Sequence, residues 1–191
     1  MKVVAFNGSP RKNGNTSLMI REVFKVLEKE GIECELIQIG GQLIRGCQGC
    51  GKCRELQNKK CIFDDDIINE CIAKMIEADG IIIGSPTYFA ALTSETKAFI
   101  DRVGYVTRGN GVLLKGKVGA AVTAVRRAGG LNVFQAINNF ILISEMNIPG
   151  SSYWNLGIGR EIGEVQDDEE GMKTMETLGT NMAWLMKKLN S

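Results

Sequence analysis

Val3-Val4-Ala5-Phe6-Asn7-Gly8-Ser9-Pro10-Arg11-Lys12-Asn13-Gly14-Asn15-Thr16-Ser17 is the stretch that decides how this chain folds. The apolar run reads as a buried strand, and the Gly, Ser and Asn residues behind it read as a tight turn into a helix. A helix starting there turns unpaired backbone N–H groups and the positive end of its dipole toward an anion. Ser9, Thr16 and Ser17 can donate hydroxyls to a phosphate oxygen, and Asn15 can cap the helix. Asn13 sits in the same turn, and Arg11 brings a cation shaped for phosphate. The spacing matches neither G-x-x-x-x-G-K-S/T, which cradles a nucleoside triphosphate, nor G-x-G-x-x-G, which receives a dinucleotide pyrophosphate. A single terminal phosphate is the expected occupant.

The same alternation continues outward. Residues Val3 to Phe6, Glu33 to Ile39, Gly80 to Gly84, Val118 to Val125 and a short piece near Ser151 to Tyr153 read as strands, several apolar on both faces as a parallel sheet requires. Between them, Thr16 to Lys29, Ile67 to Glu77, Ser94 to Arg102 and Leu131 to Met146 read as helices. The last helix runs from the acidic group Asp167 to Glu170 to Lys187-Lys188, with charges of the right sign at both ends of its dipole. Five strands alternating with five helices specify an α/β three-layer sandwich, and right-handed crossovers leave few topologies for it. The expected one is flavodoxin-like: a five-stranded parallel sheet of order 2-1-3-4-5, with its ligand beyond the carboxyl ends of the strands. A chain of 191 residues, 44% of them hydrophobic, suits a single domain spanning 1–191. The long irregular stretch at about 40–63 is expected to be a functional insertion loop.

Two further loops should converge on the phosphate turn. After the third strand, Pro86 stiffens the segment Gly84-Ser85-Pro86-Thr87-Tyr88-Phe89, and Tyr88 and Phe89 offer flat apolar surface to a planar ring or, alternatively, to the core. After the fourth, Arg126-Arg127-Ala128-Gly129-Gly130 lets backbone approach a ligand at Gly129, while Arg126 can favour an anionic ring; two solvated arginines and a helix-entry turn are the alternative.

Composition removes several function classes. With 23 basic and 22 acidic residues there is no electrostatic case for nucleic acid, and no apolar run is long enough to span a membrane. One Lys and a short apolar stretch before Asn7 do not have the layout of a secretory leader, so a cytoplasmic location is expected. The absence of histidine excludes a Ser-His-Asp triad, a Cys-His pair and a His general base, which leaves a bound cofactor as the natural source of chemistry.

Cys47, Cys50, Cys53 and Cys61 form a C-x2-C-x2-C-x7-C array inside the loop. Gly46, Gly49 and Gly51 let the backbone curl, and three cysteines at this spacing suit the corners of a [4Fe-4S] cube better than the paired clips of structural zinc sites. Reduced thiols, a Cys47–Cys50 redox pair and an adventitious zinc remain alternatives. Arg45, Lys52, Arg54, Lys59 and Lys60 surround the array, as partners for thiolate charge or as a solvated basic loop. Cys34 and Cys71 read as core residues.

Ser9-Pro10-Arg11 with Asn15-Thr16-Ser17, Gly84 to Phe89, and Lys97-Ala98-Phe99-Ile100-Asp101-Arg102 together resemble the NADPH-dependent FMN reductase superfamily of flavodoxin-like proteins. The cysteine run is similar to the compact motif of the iron-sulfur flavoproteins of anaerobic archaea and bacteria. That resemblance implies FMN, its phosphate held by Ser9, Arg11, Asn15, Thr16 and Ser17 and its ring by Pro86 to Phe89. It further implies a [4Fe-4S] cluster on the four loop cysteines and assembly as a homodimer or homotetramer. The expected activity is that of an FMN-dependent oxidoreductase passing electrons from a ferredoxin-like donor to a small-molecule acceptor. The rival readings are a cluster-free NAD(P)H-dependent flavin or quinone reductase, and a cysteine-loop sensor that turns nothing over.

Overall fold

The structure, a computed structural model, describes residues 1–190. Strands β1 (Lys2–Asn7), β2 (Glu33–Gln38), β3 (Gly80–Pro86), β4 (Val118–Val125) and β5 (Leu156–Ile158) form one sheet of order β2-β1-β3-β4-β5. Every neighbouring pair is parallel, with Lys2 opposite Glu33, Val3 opposite Gly80, Gly80 opposite Val118 and Thr123 opposite Leu156. This is the flavodoxin-like architecture expected from the alternation of elements.

Successive side chains of a strand point to opposite faces, and β1 uses both. Val3 and Ala5 enter one core with Met19, Ile20 and Val23 of α1 (Asn15–Lys29) and Leu178 and Met182 of the C-terminal helix. Val4 and Phe6 enter the other. There they meet Ile72 and Met75 of the helix Ile68–Glu77, Phe99 and Val103 of the helix Ser94–Gly109, and Ile137 of the helix Gly130–Ile143. Phe6 and Phe99 pack with ring centroids 4.7 Å apart and ring planes tilted by 38°. The short helix Lys52–Leu56 is α2, so the remaining helices are α3 (Ile68–Glu77), α4 (Ser94–Gly109), α5 (Gly130–Ile143) and α6 (Glu169–Leu189).

Several elements differ from the sequence expectation, α5 among them, which stops at Ile143 rather than Met146. The fifth strand is Leu156–Ile158, not Ser151 to Tyr153. Ser151 instead closes a turn, donating its hydroxyl to Asn155 Oδ1 at 2.6 Å, and Asn155 then docks on β4 by donating to Ala121 O at 2.9 Å. Pairing starts only beyond that anchor. Helix α4 continues past Arg102 to Gly109, because Val103 and Val106 prolong its buried face. Within the insertion loop α2 is regular, bounded by Gly51 at φ 73° and Gln57 at φ 49°.

Helix α4 is tied directly to the first loop. Thr93 caps it by accepting from the Thr96 N–H at 3.4 Å, and its hydroxyl donates to Gly8 O at 2.8 Å. Thr93→Ala is expected to cost about 1–2 kcal/mol, the worth of a lost cap plus a buried acceptor left unpaired. A lowered denaturation midpoint at unchanged m-value is the measurement; an unmoved midpoint would contradict the role.

Candidate functional site

The loops after β1, β3, β4 and β5 enclose a cleft of about 230 Å³ at the carboxyl end of the sheet. Its walls are Ser9, Arg11, Asn15 and Thr16 from the first loop, Pro86, Thr87 and Tyr88 after β3, Ala124 and Arg126 at the end of β4, and Gly159 and Arg160 after β5. Three walls are arginine and none is acidic.

A buried polar network holds the first loop. Asn7 accepts from the Ser9 N–H at 3.1 Å and donates to Gln38 Oε1 at 2.7 Å, while Gln38 donates to Ser9 O at 2.6 Å and Gly40 O at 2.7 Å. Ser9 Oγ accepts from the Arg11 N–H at 3.2 Å. Helix α1 starts at Asn15, so the N–H groups of Asn15, Thr16 and Ser17 have no acceptor within the helix. The Thr16 hydroxyl, buried in the cleft wall, has no hydrogen-bond partner. A buried polar atom without a partner costs free energy unless a ligand completes it. These groups fit a phosphate.

The structure brings together Ser9, Arg11, Asn15, Thr16, Pro86, Thr87, Tyr88 and Arg126 and places the other predicted residues elsewhere. Asn13 is exposed outside the cleft. The Ser17 hydroxyl is buried and donates back to Gly14 O at 2.8 Å, leaving only its backbone N–H toward the loop. Asn15 is the first helical residue, with Gly14 at the cap, and its side chain donates to Glu161 O at 2.9 Å and accepts from the Gly163 N–H at 2.9 Å. Phe89 is fully exposed. It and Ala90 sit at φ 49° and 57° in a turn closed by reciprocal 3.0 Å bonds between Tyr88 and Ala91, which carries the ring away from the cleft. Gly129, at φ 85°, lines a neighbouring depression with Tyr153 and Trp154.

Gly159 and Arg160 enter the cleft because β5 lies at Leu156–Ile158 rather than at Ser151 to Tyr153, which puts them at the strand's carboxyl end. A Cβ on Gly159 would lie 2.6 Å from the Val165 nitrogen, so close approach requires glycine there. Arg160 O accepts from Arg11 Nη1 at 3.2 Å, which joins the first and last walls. The sequence signal is Gly157-Ile158-Gly159-Arg160, a cation directly behind a glycine-rich strand end.

The four loop cysteines line one small cavity together with Phe63 and with Arg102, Tyr105 and Val106 of α4. Gly49 and Gly51 make the bend at φ 62° and 73°. Cys53 is buried on α2, Cys50 is exposed, and Cys47 and Cys61 are half-buried. Asn69 clamps Cys61, accepting from its N–H at 2.8 Å and donating to its carbonyl at 3.0 Å. Burial pushes the Cys53 thiol above its ordinary pKa. Among the described residues no three Cys, Asp or Glu side chains converge as a single-ion site; four sulfurs around a shared cavity are the donor set a multi-iron cluster uses. Of the basic residues around the array, Arg45 pairs with Asp65 at 3.3 Å and Lys52 with Glu55 at 2.7 Å, while Arg54 lies over the Tyr105 ring.

Cys34 and Cys71 lie outside that cavity, and burial, with neighbouring carboxylates adding to it, pushes each thiol to about 12. At pH 8 such a thiol is thiolate only about once in 10⁴ molecules, so iodoacetamide is expected to alkylate the cluster-free protein at Cys50 well before Cys34 or Cys71. Mass spectrometry of timed digests checks this, and early labelling of Cys71 would contradict its burial.

The fold and the cleft define a flavodoxin-like protein with a cationic, phosphate-ready site at the carboxyl end of its sheet. The sequence pattern of the NADPH-dependent FMN reductase family matches residues 1–161, and the chain belongs to that family as an FMN-dependent oxidoreductase of the iron-sulfur flavoprotein kind. It is 39% identical over 194 residues to an iron-sulfur flavoprotein of Methanocaldococcus jannaschii, covering 98% of each chain. It is 33% identical over 177 residues to one from Methanosarcina thermophila, covering 92% of this chain and 90% of that one. Among solved structures, RosB with bound 8-demethyl-8-formylriboflavin-5'-phosphate superposes with a TM-score of 0.77 at 21% identity, over 100% of this chain and 80% of that one. The apo form of NADH:FMN oxidoreductase gives 0.66 at 16% identity, over 100% and 90%. No helix among the described residues is long and apolar enough to cross a membrane.

Proposed function

We propose that this chain is an electron-transfer iron-sulfur flavoprotein, folded as one domain, that passes electrons from a ferredoxin-like donor to a small acceptor. The observation that supports it best is the pairing, on one fold, of a cationic cleft holding an orphaned buried hydroxyl with a cavity ringed by four cysteines. When bound, FMN supplies one- and two-electron redox chemistry and a [4Fe-4S] cluster supplies one-electron transfer. The residues do the rest. Ser9, Arg11, Thr16 and the N–H groups at the start of α1 hold the phosphate; Asn15 acts by fixing the β5 loop, and Ser17 through its N–H. Pro86, Thr87 and Tyr88 flank the ring on one side and Ala124 and Arg126 on another, with Arg126 and Arg160 favouring negative charge on it. Cys47, Cys50, Cys53 and Cys61 ligate the cluster. Exposed Phe89, Tyr153 and Trp154 fit burial in a homodimer or homotetramer, and free thiols in number fit a reducing cytoplasm.

The test is protein purified without oxygen, with iron, acid-labile sulfide and flavin counted per chain and the reduction rate then followed by absorbance. About four iron, four sulfide and one FMN, with fast bleaching through reduced ferredoxin, are expected. Flavin without iron after attempted reconstitution, with fast bleaching by NADPH, would replace this reading with the cluster-free NAD(P)H-dependent reductase.

A further inference from the structure

Arg102 is the largest fully buried side chain in the molecule's core, and the surroundings of its guanidinium are uneven. Nη1 donates to Arg45 O at 3.2 Å and to Asp66 Oδ2 in a short, fully buried ion pair, and Nη2 donates to Phe63 O at 2.7 Å. Nε has no hydrogen-bond partner at all. A buried N–H without an acceptor is costly, and more so on a charged group. Desolvation of the guanidinium is opposed by Asp66 and by the sulfur of Cys61, which lies within its reach, and Arg102 lines the cavity shared by the four cysteines. Among the residues of that cavity it is the one cation.

We propose that Arg102 is a positioning residue for the iron-sulfur site, donating its free Nε–H to the sulfur of Cys61 when that cysteine carries the cluster and thereby raising the cluster's reduction potential. The inference rests on the cluster reading above. An N–H directed at a ligand sulfur stabilises the form with more negative charge, which is the reduced one. Asp66 already offsets the guanidinium charge, so the effect acts through the directed hydrogen bond rather than through bulk positive charge. This geometry also gives Asp66 its purpose: with the backbone carbonyls of Arg45 and Phe63, it clamps the other guanidinium nitrogens and leaves Nε as the donor still to be used.

Arg102→Lys separates these contributions, since lysine keeps a cation beside Asp66 but has no Nε–H at that position. In anaerobically reconstituted protein, potentiometric titration followed by EPR is expected to show the cluster at a more negative potential in the variant. The expected change is about tenfold in the one-electron oxidised-to-reduced ratio, or about 59 mV, with the FMN potentials unmoved. Independently of any variant, wild-type protein grown on arginine labelled with ¹⁵N at Nε should show a ¹⁵N hyperfine coupling to the reduced cluster in pulsed EPR. A wild-type cluster with no such coupling, or a loaded Arg102→Lys protein with the wild-type potential, would overturn the proposal. Should the lysine variant not assemble, the wild-type coupling alone decides it. Wild-type protein that takes up no iron would instead overturn the cluster reading itself, and this inference with it.

Discussion

Cys50→Ser is expected to lower iron from about four per chain to near zero while leaving one FMN bound per chain. The asymmetry follows from placement. Cys50 is exposed, stands between Gly49 and Gly51, and lines the cysteine cavity but not the cleft. No hydrogen bond that shapes the β1–α1 loop passes through it; those run through Asn7, Gln38 and Ser9. Serine is nearly isosteric and removes the thiolate without opening a core cavity, so the variant should fold. The measurement is iron and sulfide analysis with flavin fluorescence after release. Four iron retained per chain would remove Cys50 from the ligand set, whereas loss of both iron and flavin would show the two sites to be structurally coupled.

Arg11→Ala is expected to weaken FMN binding by about 1.5–3 kcal/mol, the worth of a charge-assisted hydrogen bond, or roughly 10- to 150-fold in Kd. The side chain is exposed, but its Nη1 donates to Arg160 O, which holds the guanidinium across the cleft instead of letting it sweep through solvent. Binding should survive in part, because Arg126, Arg160, the Thr16 hydroxyl and the N–H groups of α1 remain. Titration of deflavinated protein with FMN at two salt concentrations reads both the loss and its electrostatic share, since the wild type should weaken more steeply with salt than the variant. If riboflavin, which lacks the phosphate, loses as much affinity as FMN, Arg11 does not act on the phosphate.

Much of this protein is visible in its residues before any coordinates. The strands β1, β3 and β4 were legible because parallel strands covered on both faces are nearly continuous apolar runs, whereas the edge strand β2 is a mixed run, Glu33-Cys34-Glu35-Leu36-Ile37-Gln38, set off by Gly31 before it and Gly40 after it. β5 was not legible, because Leu156–Ile158 is short, lies at the sheet's edge and carries no run of its own; a side-chain anchor from Asn155 to β4 sets its start. The same error hid Arg160. The exposed position of Phe89 was not legible either, because it is set by a turn whose positive φ values at Phe89 and Ala90 belong to non-glycine residues, which no local propensity announces.

Alternation of apolar runs and amphipathic helices, the phosphate-ready turn from Asn7 to Ser17 and the spacing of Cys47, Cys50, Cys53 and Cys61 are written in the chain order, because each depends on neighbours a few residues apart. Which of those residues meet is a different kind of fact. The sharing of one cavity by Cys61 and Arg102, the buried pairing of Arg102 with Asp66, and the joining of Arg11 to Arg160 across the cleft bring together positions far apart in sequence. Those pairings exist only once the sheet has formed and brought its loops and helices together. Burial then makes an unpaired polar atom costly, which is why Thr16 Oγ1 in the cleft wall and Arg102 Nε beside the cysteines stand out only in the folded chain.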